Sequence, residues 1–277
     1  MIEKYIKKNY LKILTMKKSI VFFLLIVLLT SCSKVLITGR KQLLLIPDSE
    51  ILAMSSESYR QYLDSTPLST DKMNTALVKK VGKNISIAVE NYLRANGLAS
   101  EITNFSWEFN LVKDPSKNAF CMPGGKVVVY EGILPVTKTE AGLAVVMGHE
   151  IAHAVAKHSS ERLSQEMLAQ FGAQLTDLLI TNKSEVTKVG INALYGLGVQ
   201  VGVILPYSRK QEYEADRLGL IFLAMAGYDP NEAISFWERM SAESTNTIEF
   251  LSTHPSDAKR LVKMKEYLPE AMKYYKK

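Results

Sequence analysis

The chain has 277 residues, of which 47% are hydrophobic and 22% are charged, a composition typical of a globular protein. Its formal net charge of +6 suggests an affinity for nucleic acid, but residues 1–31 carry six lysines and one glutamate, and without them the charge falls to +1. The remaining chain has no large excess of positive charge for binding phosphates, so we expect no nucleic-acid partner.

The N-terminal segment has the pattern of a secretory signal. Residues 16–32 read MKKSIVFFLLIVLLTSC, with a basic start and an apolar run that is too short to span a membrane. The run ends in Leu-Thr-Ser-Cys, which resembles a bacterial lipobox whose cysteine, Cys32, is acylated. We therefore expect 1–31 to be a lipoprotein signal peptide, with Met16 as an alternative start, and 32–47 to be a lipid-anchored tether. An ordinary signal peptide with an incidental cysteine is the alternative.

A lipid on Cys32 would attach the protein to a membrane of the cell envelope. Since Ser33 rather than aspartate follows that cysteine, we expect the outer membrane, facing the periplasm, if the organism is a diderm. Cys121 would then be the one thiol of the mature chain, which excludes an intrachain disulfide. It has no second cysteine at ligand spacing, so packing beneath a hairpin is favoured over metal binding.

Helical periodicity dominates residues 48–277 and predicts a mostly helical α+β fold. Alternation of apolar and polar residues over 105–112 predicts a strand, and NAFCM, PGG and KVVVY predict a hairpin. The small residues of 190–208 favour core packing, with contact to a membrane or a partner as the alternative. Helices are expected over 48–64, 71–96 (ending at Gly97), from Thr139 through the histidines, 160–180, 185–205, 208–227, after Asp229-Pro230, and 257–268.

Residues 149–153 read HEIAH, so two of the chain's four histidines lie four positions apart. Residues at this spacing share a helix face, and His149 and His153 can therefore present two imidazoles to one ion. Zinc binds such nitrogens at about 2.0–2.1 Å in a tetrahedral array. Glu150 would lie beside the ion, where it can take a proton from water. The pattern predicts a catalytic zinc site, and a helix with two unrelated histidines is the alternative.

The third ligand does not follow directly in the sequence. Ala156 and Ser159 stand where a metzincin would have a glycine and a third histidine. His158 comes five positions after His153, which turns it away from the ligand face, and we expect it to be solvated. The third ligand must come from another part of the chain, and a carboxylate on a second helix is the usual alternative.

The stretch SRKQEYEAD offers such carboxylates. Glu212 and Asp216 are four apart and share a helix face, whereas Glu214 points elsewhere. This indicates Glu212 as the third ligand and Asp216 as an acceptor that orients a histidine N–H. Taken alone, the stretch would be read as a solvated acidic turn.

HEIAH, SRKQEYEAD and STHPSDAKR together resemble metallopeptidase family forty-eight, the gluzincin group that includes HtpX, the Oma-type protease and the type-1 CaaX prenyl endopeptidases. NAFCMPGGKVVVYEGIL resembles the hairpin before the zinc helix of that family, and ITGRKQL the start of its lipoprotein members. The resemblance implies a zincin-like peptidase domain over 48–277, with a small antiparallel sheet beside the HExxH helix and one Zn²⁺ per chain. It also implies Glu212 as third ligand with Asp216 behind it, and His254 and Arg260 near the zinc.

These features predict a zinc metalloendopeptidase in which Glu150 is the general base and then the acid. His254 is expected either to close the open position of the zinc or, when withdrawn, to stabilise the oxyanion with Arg260. An extended substrate is expected to bind by strand addition along one strand of the hairpin. That strand comprises Lys126, Val127, Val128, Val129 and Tyr130.

The expected substrates are unfolded or misassembled envelope proteins, with envelope assembly machinery as a further partner. A non-proteolytic zinc-containing chaperone or assembly factor on a peptidase fold is the alternative function. A structural zinc site has no need of a base beside the ion, so Glu150 favours the peptidase.

Overall fold

A computed structural model describes residues 32–35, 38–179, 205–242, 254 and 258–276. The described chain is mostly helical, as the sequence predicts, and it has two small sheets where the sequence predicts one. The strands are β1 (Cys32–Lys34), β2 (Lys41–Leu43), β3 (Glu108–Val112), β4 (Ala119–Met122) and β5 (Lys126–Tyr130). The helices are α1 (Asp48–Ser65), α2 (Lys72–Ala95), α3 (Leu134–Thr137), α4 (Glu140–Val155), α5 (His158–Leu179), α6 (Leu205–Met225), α7 (Glu232–Ala242) and α8 (Ala258–Ala271), with short 3-10 helices at Ala99–Asn104 and Glu131–Ile133.

The long helix α2 shows how local sequence sets the ends of an element. The side chain of Asp71 accepts a hydrogen bond from Asn74 N at 3.0 Å, which caps the first turn. Gly97 follows the last turn with a left-handed φ of +73°, a conformation that glycine adopts without strain. The apolar face, which includes Val81 and Ile85, is buried against β3 and α4. Both predicted ends are confirmed to within one residue.

The main sheet has the strand order β3–β5–β4. β5 pairs in parallel with β3 and antiparallel with β4, so the sheet is mixed rather than antiparallel throughout. The alternation over 105–112 predicts a strand but does not specify its partner, and the strand itself begins only at Glu108.

The central position of β5 overturns the prediction that it binds an extended peptide. Strand addition needs a free edge with unpaired N–H and C=O groups. β5, Lys126–Tyr130, is paired on both sides, and all five of its side chains are buried. The outer strands of this sheet in the described chain are β3 and β4, so an added strand would have to pair with one of those.

The helix that carries HEIAH lies at the centre of the core. Its N-cap is Thr139, whose hydroxyl accepts a hydrogen bond from Gly142 N at 2.9 Å, and every residue from Gly142 to Val155 is buried. α2 and β4 pack against α4, as do α6 and α7. α4 and α6 cross closely at Gly148 and Gly219, where a Cβ added to Gly219 would lie 3.2 Å from His149 N. This approach brings the carboxylates of α6 within reach of the histidines of α4.

The C-terminal helix α8 continues past its predicted end at residue 268. It passes through Pro269 and ends at Ala271, which is fully buried. Arg217 on α6 holds this last turn, because its Nε and Nη2 donate to the two carboxylate oxygens of Glu270 at 2.7 and 2.8 Å. These tertiary contacts outweigh the loss of one helical hydrogen bond at the proline.

The segment expected to be a tether belongs in part to the domain. β1 and β2 form a two-stranded antiparallel sheet, and Val35, just after β1, is buried in the main core. Gln42 is buried, and Leu45 N donates to Ser164 Oγ of α5 at 2.9 Å. Val35, Gln42 and Leu45 therefore pack onto the domain, so this part of the segment does more than link the domain to a lipid.

Two predictions concern residues outside the described part of the chain. The helix expected over 185–205 and the small-residue stretch before residue 205 lie outside the described residues. The helix expected from residue 208 begins at Leu205 and is otherwise as predicted, with Gly227 in a left-handed conformation after its end. Within the described part of the chain, no helix combines the length and the hydropathy needed to cross a membrane.

Candidate metal centre

Four side chains from three parts of the chain converge beside α4. His149 and His153 project from one face of α4, and Glu212 reaches them from α6. His254 completes the group, and all four residues are buried. One potential ligand atom from each lies within 4.8 Å of the others, so the four together could hold a metal ion.

The distances within this group fit convergence on one ion. The two Nε2 atoms of His149 and His153 are 3.1 Å apart, and each lies 3.4 Å from an oxygen of Glu212. His254 Nδ1 lies 3.3 Å from His149 Nε2 and 3.0 Å from Glu212 Oε1. Ligand atoms about 2.0–2.1 Å from a tetrahedral zinc ion lie about 3.3–3.4 Å from each other. The donor set therefore fits a metal of this size and geometry.

The electrostatics of the group keep its carboxylate ionised. Burial raises the pKa of Glu212, but the facing histidines outweigh burial and hold the pKa well below its ordinary 4.5. Burial also lowers the pKa of His153 well below 6.5, so this imidazole stays neutral with a lone pair available. The pKa of His149 is instead raised to about 9, because its contacts with Asp216 and Glu212 outweigh burial. A charged carboxylate and a neutral His153 are ready to bind a divalent cation, whereas His149 would release a proton when it binds one.

A buried salt bridge supports the ligand residues from behind. Asp216 Oδ1 lies 3.1 Å from His149 Nδ1, the position from which an acceptor fixes the ring. Arg260 donates to Asp216 through Nη2 at 2.6 Å and Nε at 2.9 Å, and its Nη1 lies 3.1 Å from Glu212 Oε2. Its guanidinium also stacks 4.0 Å above the ring of Trp237.

This arrangement changes the role expected for Arg260. All three of its guanidinium nitrogens are engaged by Asp216 and Glu212, so the geometry favours a residue that positions and neutralises these carboxylates. A donor to a substrate oxyanion would need a free N–H aimed away from them. Arg260 does lie next to the metal group, as the resemblance implies.

Glu150 and His254 lie on the remaining side of the group. Burial raises the pKa of the Glu150 carboxyl above its ordinary 4.5, with His254 and His149 opposing the shift. His254 Nε2 is 3.4 Å from Glu150 Oε1, while Nδ1 of the same ring faces Glu212. His254 therefore stands between the expected base and the expected ligands, where it would fill a fourth position around an ion.

His158 is not solvated, contrary to the sequence-based expectation. It is 0% exposed, and its Nδ1 lies 2.9 Å from His153 Nδ1. The expectation assumed an unbroken helix, but Lys157 adopts a left-handed φ of 59° between α4 and α5 and turns His158 inward. That conformation costs about 1–2 kcal/mol for a residue with a side chain. Ion pairs from Lys157 Nζ to Asp48 at 2.6 Å and Glu101 at 3.0 Å help to hold it.

Cys121 lies outside the metal group. It is in β4, and its thiol donates to the carbonyl oxygen of Met122 at 3.5 Å. Burial raises the pKa of this thiol well above 9.0, which disfavours the thiolate form that binds metals. Cys121 packs in the core, as its isolation in the sequence predicts.

Residues 82–268 match the model of Peptidase family M48. The chain belongs to this family. The match covers more than half of the chain and includes both HEIAH and EYEAD. M48 metallopeptidases depend on a metal, in agreement with the buried group of His149, His153, Glu212 and His254.

Curated relatives fall into two kinds. The chain is 39% identical over 189 residues to the mitochondrial metalloendopeptidase OMA1 of Schizosaccharomyces pombe, covering 67% of this chain and 54% of the relative. Identity to the human OMA1 metalloendopeptidase is 27% over 284 residues, covering 98% and 52%. Identity to the beta-barrel assembly-enhancing protease of Escherichia coli is 29% over 219 residues, covering 76% and 42%. The chain thus spans about half the length of the curated relatives it matches.

The N-terminal segment has its own match. Residues 16–33 match the prokaryotic membrane lipoprotein lipid attachment site, which contains Cys32. The recognition of a lipobox at this position is therefore confirmed, and the chain carries the signal for attachment to a membrane by lipid.

Arg260→Met tests whether the buried guanidinium holds the site together. The change leaves the carboxylates of Asp216 and Glu212 without their cation, so we expect the free energy of unfolding to fall by about 3–5 kcal/mol in the metal-free protein. Added Zn²⁺ should reduce the difference from the unmodified protein, because the cation would partly neutralise the carboxylates that lose Arg260. Urea unfolding with and without Zn²⁺ measures both quantities.

The matched control is Arg217→Met, which breaks the half-exposed pair with Glu270. A partly exposed pair contributes about 0–1 kcal/mol, and Zn²⁺ should stabilise this variant by as much as it stabilises the unmodified protein. Equal destabilisation of the two variants would contradict a special role for Arg260.

Proposed function

We propose that this protein is a zinc-dependent endopeptidase, anchored by a lipid on Cys32 in a bacterial cell envelope. Its proposed substrates are unfolded or misassembled envelope proteins. The observation that carries the proposal is the convergence of His149 Nε2, His153 Nε2 and the Glu212 carboxylate next to the buried carboxylate of Glu150. Two histidines and one glutamate, with a base beside them, are the ligand set of a catalytic zinc site.

Each residue of the site has a separate role in peptide hydrolysis. Zinc held by the two histidines and Glu212 would lower the pKa of a water molecule towards about 7 and polarise the scissile carbonyl. Glu150 accepts the proton of the attacking water at its carboxylate and delivers it to the leaving amine. The raised pKa of Glu150 suits it to return that proton. Asp216 orients the ring of His149, and Arg260 holds Asp216 in place.

The lipid attachment site and the relatives support the proposed location and partners of the protein. The lipid attachment site supports a bacterial envelope, whereas the OMA1 relatives are mitochondrial. Since Ser33 follows Cys32, the proposed location is the outer membrane, facing the periplasm, if the organism is a diderm. The similarity to a beta-barrel assembly-enhancing protease supports envelope assembly machinery as a partner.

The competing function is a chaperone or assembly factor in which zinc is only structural. The position of Glu150 argues against it. Burying a carboxylate costs free energy, and a structural zinc site has no need of a base beside the ion. A structural site is closed permanently by four protein ligands, so the competing function would require His254 to stay in the fourth position.

Glu150→Gln separates the two functions. The variant keeps size and helix but cannot accept a proton, so we expect Zn²⁺ to remain bound while cleavage of unfolded casein falls by about 10²–10⁴-fold. The control is Glu166→Gln, the same change at an exposed position of α5, which should cleave normally. Activity of the Zn²⁺-loaded Glu150→Gln variant at the level of the control would contradict the peptidase mechanism.

His254 is proposed to keep the enzyme latent in the described conformation. Its Nδ1 lies among the ligand atoms, 3.3 Å from His149 Nε2 and 3.0 Å from Glu212 Oε1, where it would occupy the position that a catalytic metal keeps open. Withdrawal of the ring would open that position and leave His254 able to act on the substrate side, near Glu150.

His254→Ala should therefore raise basal cleavage of casein and self-cleavage, and should weaken Zn²⁺ binding by the loss of one nitrogen. Casein cleavage rates and chelator competition give the two readouts. A fall in kcat with unchanged Zn²⁺ affinity would instead assign His254 to oxyanion stabilisation. Unchanged kinetics together with unchanged affinity would exclude both roles.

A further inference from the structure

A row of buried and partly buried polar side chains leads from the metal group to the N-terminal segment of the chain. It starts at His158, which the left-handed turn at Lys157 directs towards His153. It ends at Arg40, eight residues after Cys32. The catalytic proposal uses none of these outer residues, although the first of them, His158, is in direct contact with the expected ligand His153.

The direction of the hydrogen bonds in this row follows from the orientation of His153. Its Nε2 faces His149 Nε2 at 3.1 Å and Glu212 Oε1 at 3.4 Å, so the Nε2 lone pair points into the metal group. A neutral imidazole then carries its hydrogen on Nδ1. His153 Nδ1–H donates to His158 Nδ1 at 2.9 Å, which leaves the hydrogen of His158 on Nε2. That Nε2 faces Glu214 Oε2 at 3.3 Å and donates to it.

The N-terminal segment holds the far end of this row. Arg40 Nε donates to Glu214 Oε2 at 2.6 Å, and the hydroxyl of Thr38 donates to Glu214 Oε1. The two terminal nitrogens of Arg40 donate to the carboxylate of Glu161 at 2.6 and 2.7 Å. Glu161 is fully buried and also accepts from Gln211 Nε2 at 2.8 Å. Every polar group of the row thus has a defined partner, which fixes where each ring points.

We propose that Arg40, Glu214 and His158 are positioning residues of the metal centre, which fix the tautomer and ring orientation of His153. The inference deepens the proposed function and rests on it, because it takes His153 as a metal ligand. The carboxylate at the end of the row makes His153 a better ligand, since acceptors behind a ligating histidine increase its basicity. The N-terminal segment that carries Arg40 then helps to set the geometry of the metal centre.

Glu214→Gln tests the row with the smallest change of shape. The amide keeps the size of Glu214 but removes the negative charge that His158 and Arg40 share. We expect Zn²⁺ affinity, measured by chelator competition on the full mature chain, to fall by about 10–100-fold, the usual effect of losing such support. The visible spectrum of the Co²⁺-substituted protein should change as well, because the ring of His153 is reoriented.

The control is Glu270→Gln, since Glu270 is also a glutamate held by an arginine, but its partner is Arg217 and not a residue of the row. It should match the unmodified protein in Zn²⁺ affinity and Co²⁺ spectrum. Arg40→Met should behave like Glu214→Gln, because it frees Glu214 from its anchor. Thermal melts of the metal-free variants establish folding before the titrations.

A second pair of variants gives an independent readout at His158. His158→Phe removes the acceptor for His153 Nδ1–H and should weaken Zn²⁺ binding. His158→Asn restores an acceptor oxygen near the position of Nδ1 and should recover part of the affinity. Wild-type Zn²⁺ affinity and Co²⁺ spectra in folded Glu214→Gln and His158→Phe would overturn the inference. Failure of the unmodified chain to bind Zn²⁺ would overturn the proposed function itself.

Discussion

The close crossing of α4 and α6 is the contact on which the metal centre depends. Gly148 precedes His149 directly, and Gly219 faces it from α6 with no side chain between the two helices. One and two turns before Gly219, Asp216 and Glu212 come within 3.1 and 3.4 Å of the two nitrogens of His149. A side chain at the crossing would separate the helices and lengthen both contacts. The backbone approach therefore sets the geometry of the ligands before any metal is present.

Burying so many ionisable groups requires that each has a partner, because an unpaired buried charge costs several kcal/mol. Each histidine of the motif is accordingly backed by a carboxylate that an arginine holds. His149 is backed by Asp216 and Arg260, and His153 is backed through His158 by Glu214 and Arg40.

The two arginines come from opposite ends of the chain, one from the segment after the lipid attachment site and one from the last helix. Both ends must be docked for the two supports to form. Folding of the chain ends and assembly of the metal group are therefore coupled. Since a metal binds only the folded arrangement, it should stabilise these terminal elements together with the core.

The sequence predicts much of this structure because its strongest signals are local. Caps at Asp71 and Thr139, the hairpin turn, and the four-residue spacings of HEIAH and of Glu212 with Asp216 each depend on one element. Which strands pair with each other depends on residues that are far apart in the sequence. The parallel pairing of β3 with β5 and the central position of β5 are therefore not predicted. The inward turn of His158 is not predicted either, because nothing in the sequence marks Lys157 as a left-handed residue.

The supports behind His153 are hidden for a related reason. Arg40 and Glu214 are far apart in sequence, and a charged residue in a short N-terminal stretch is ordinarily solvated. Only the packing of Arg40 and Leu45 onto α5 and α6 shows that Arg40 bridges two carboxylates. By contrast, the placement of His254 and Arg260 near the metal group follows from the family resemblance, while the engagement of Arg260 by Asp216 and Glu212 does not.

The central claim is that His149, His153 and Glu212 hold one zinc ion beside Glu150. Anomalous diffraction at the zinc absorption edge, from crystals of the mature chain grown with Zn²⁺, tests it most directly. The account predicts one peak per chain, about 2.0–2.2 Å from both histidine Nε2 atoms and from a Glu212 oxygen. A chain that binds no Zn²⁺ at this position, or that binds it through other residues, would contradict the account.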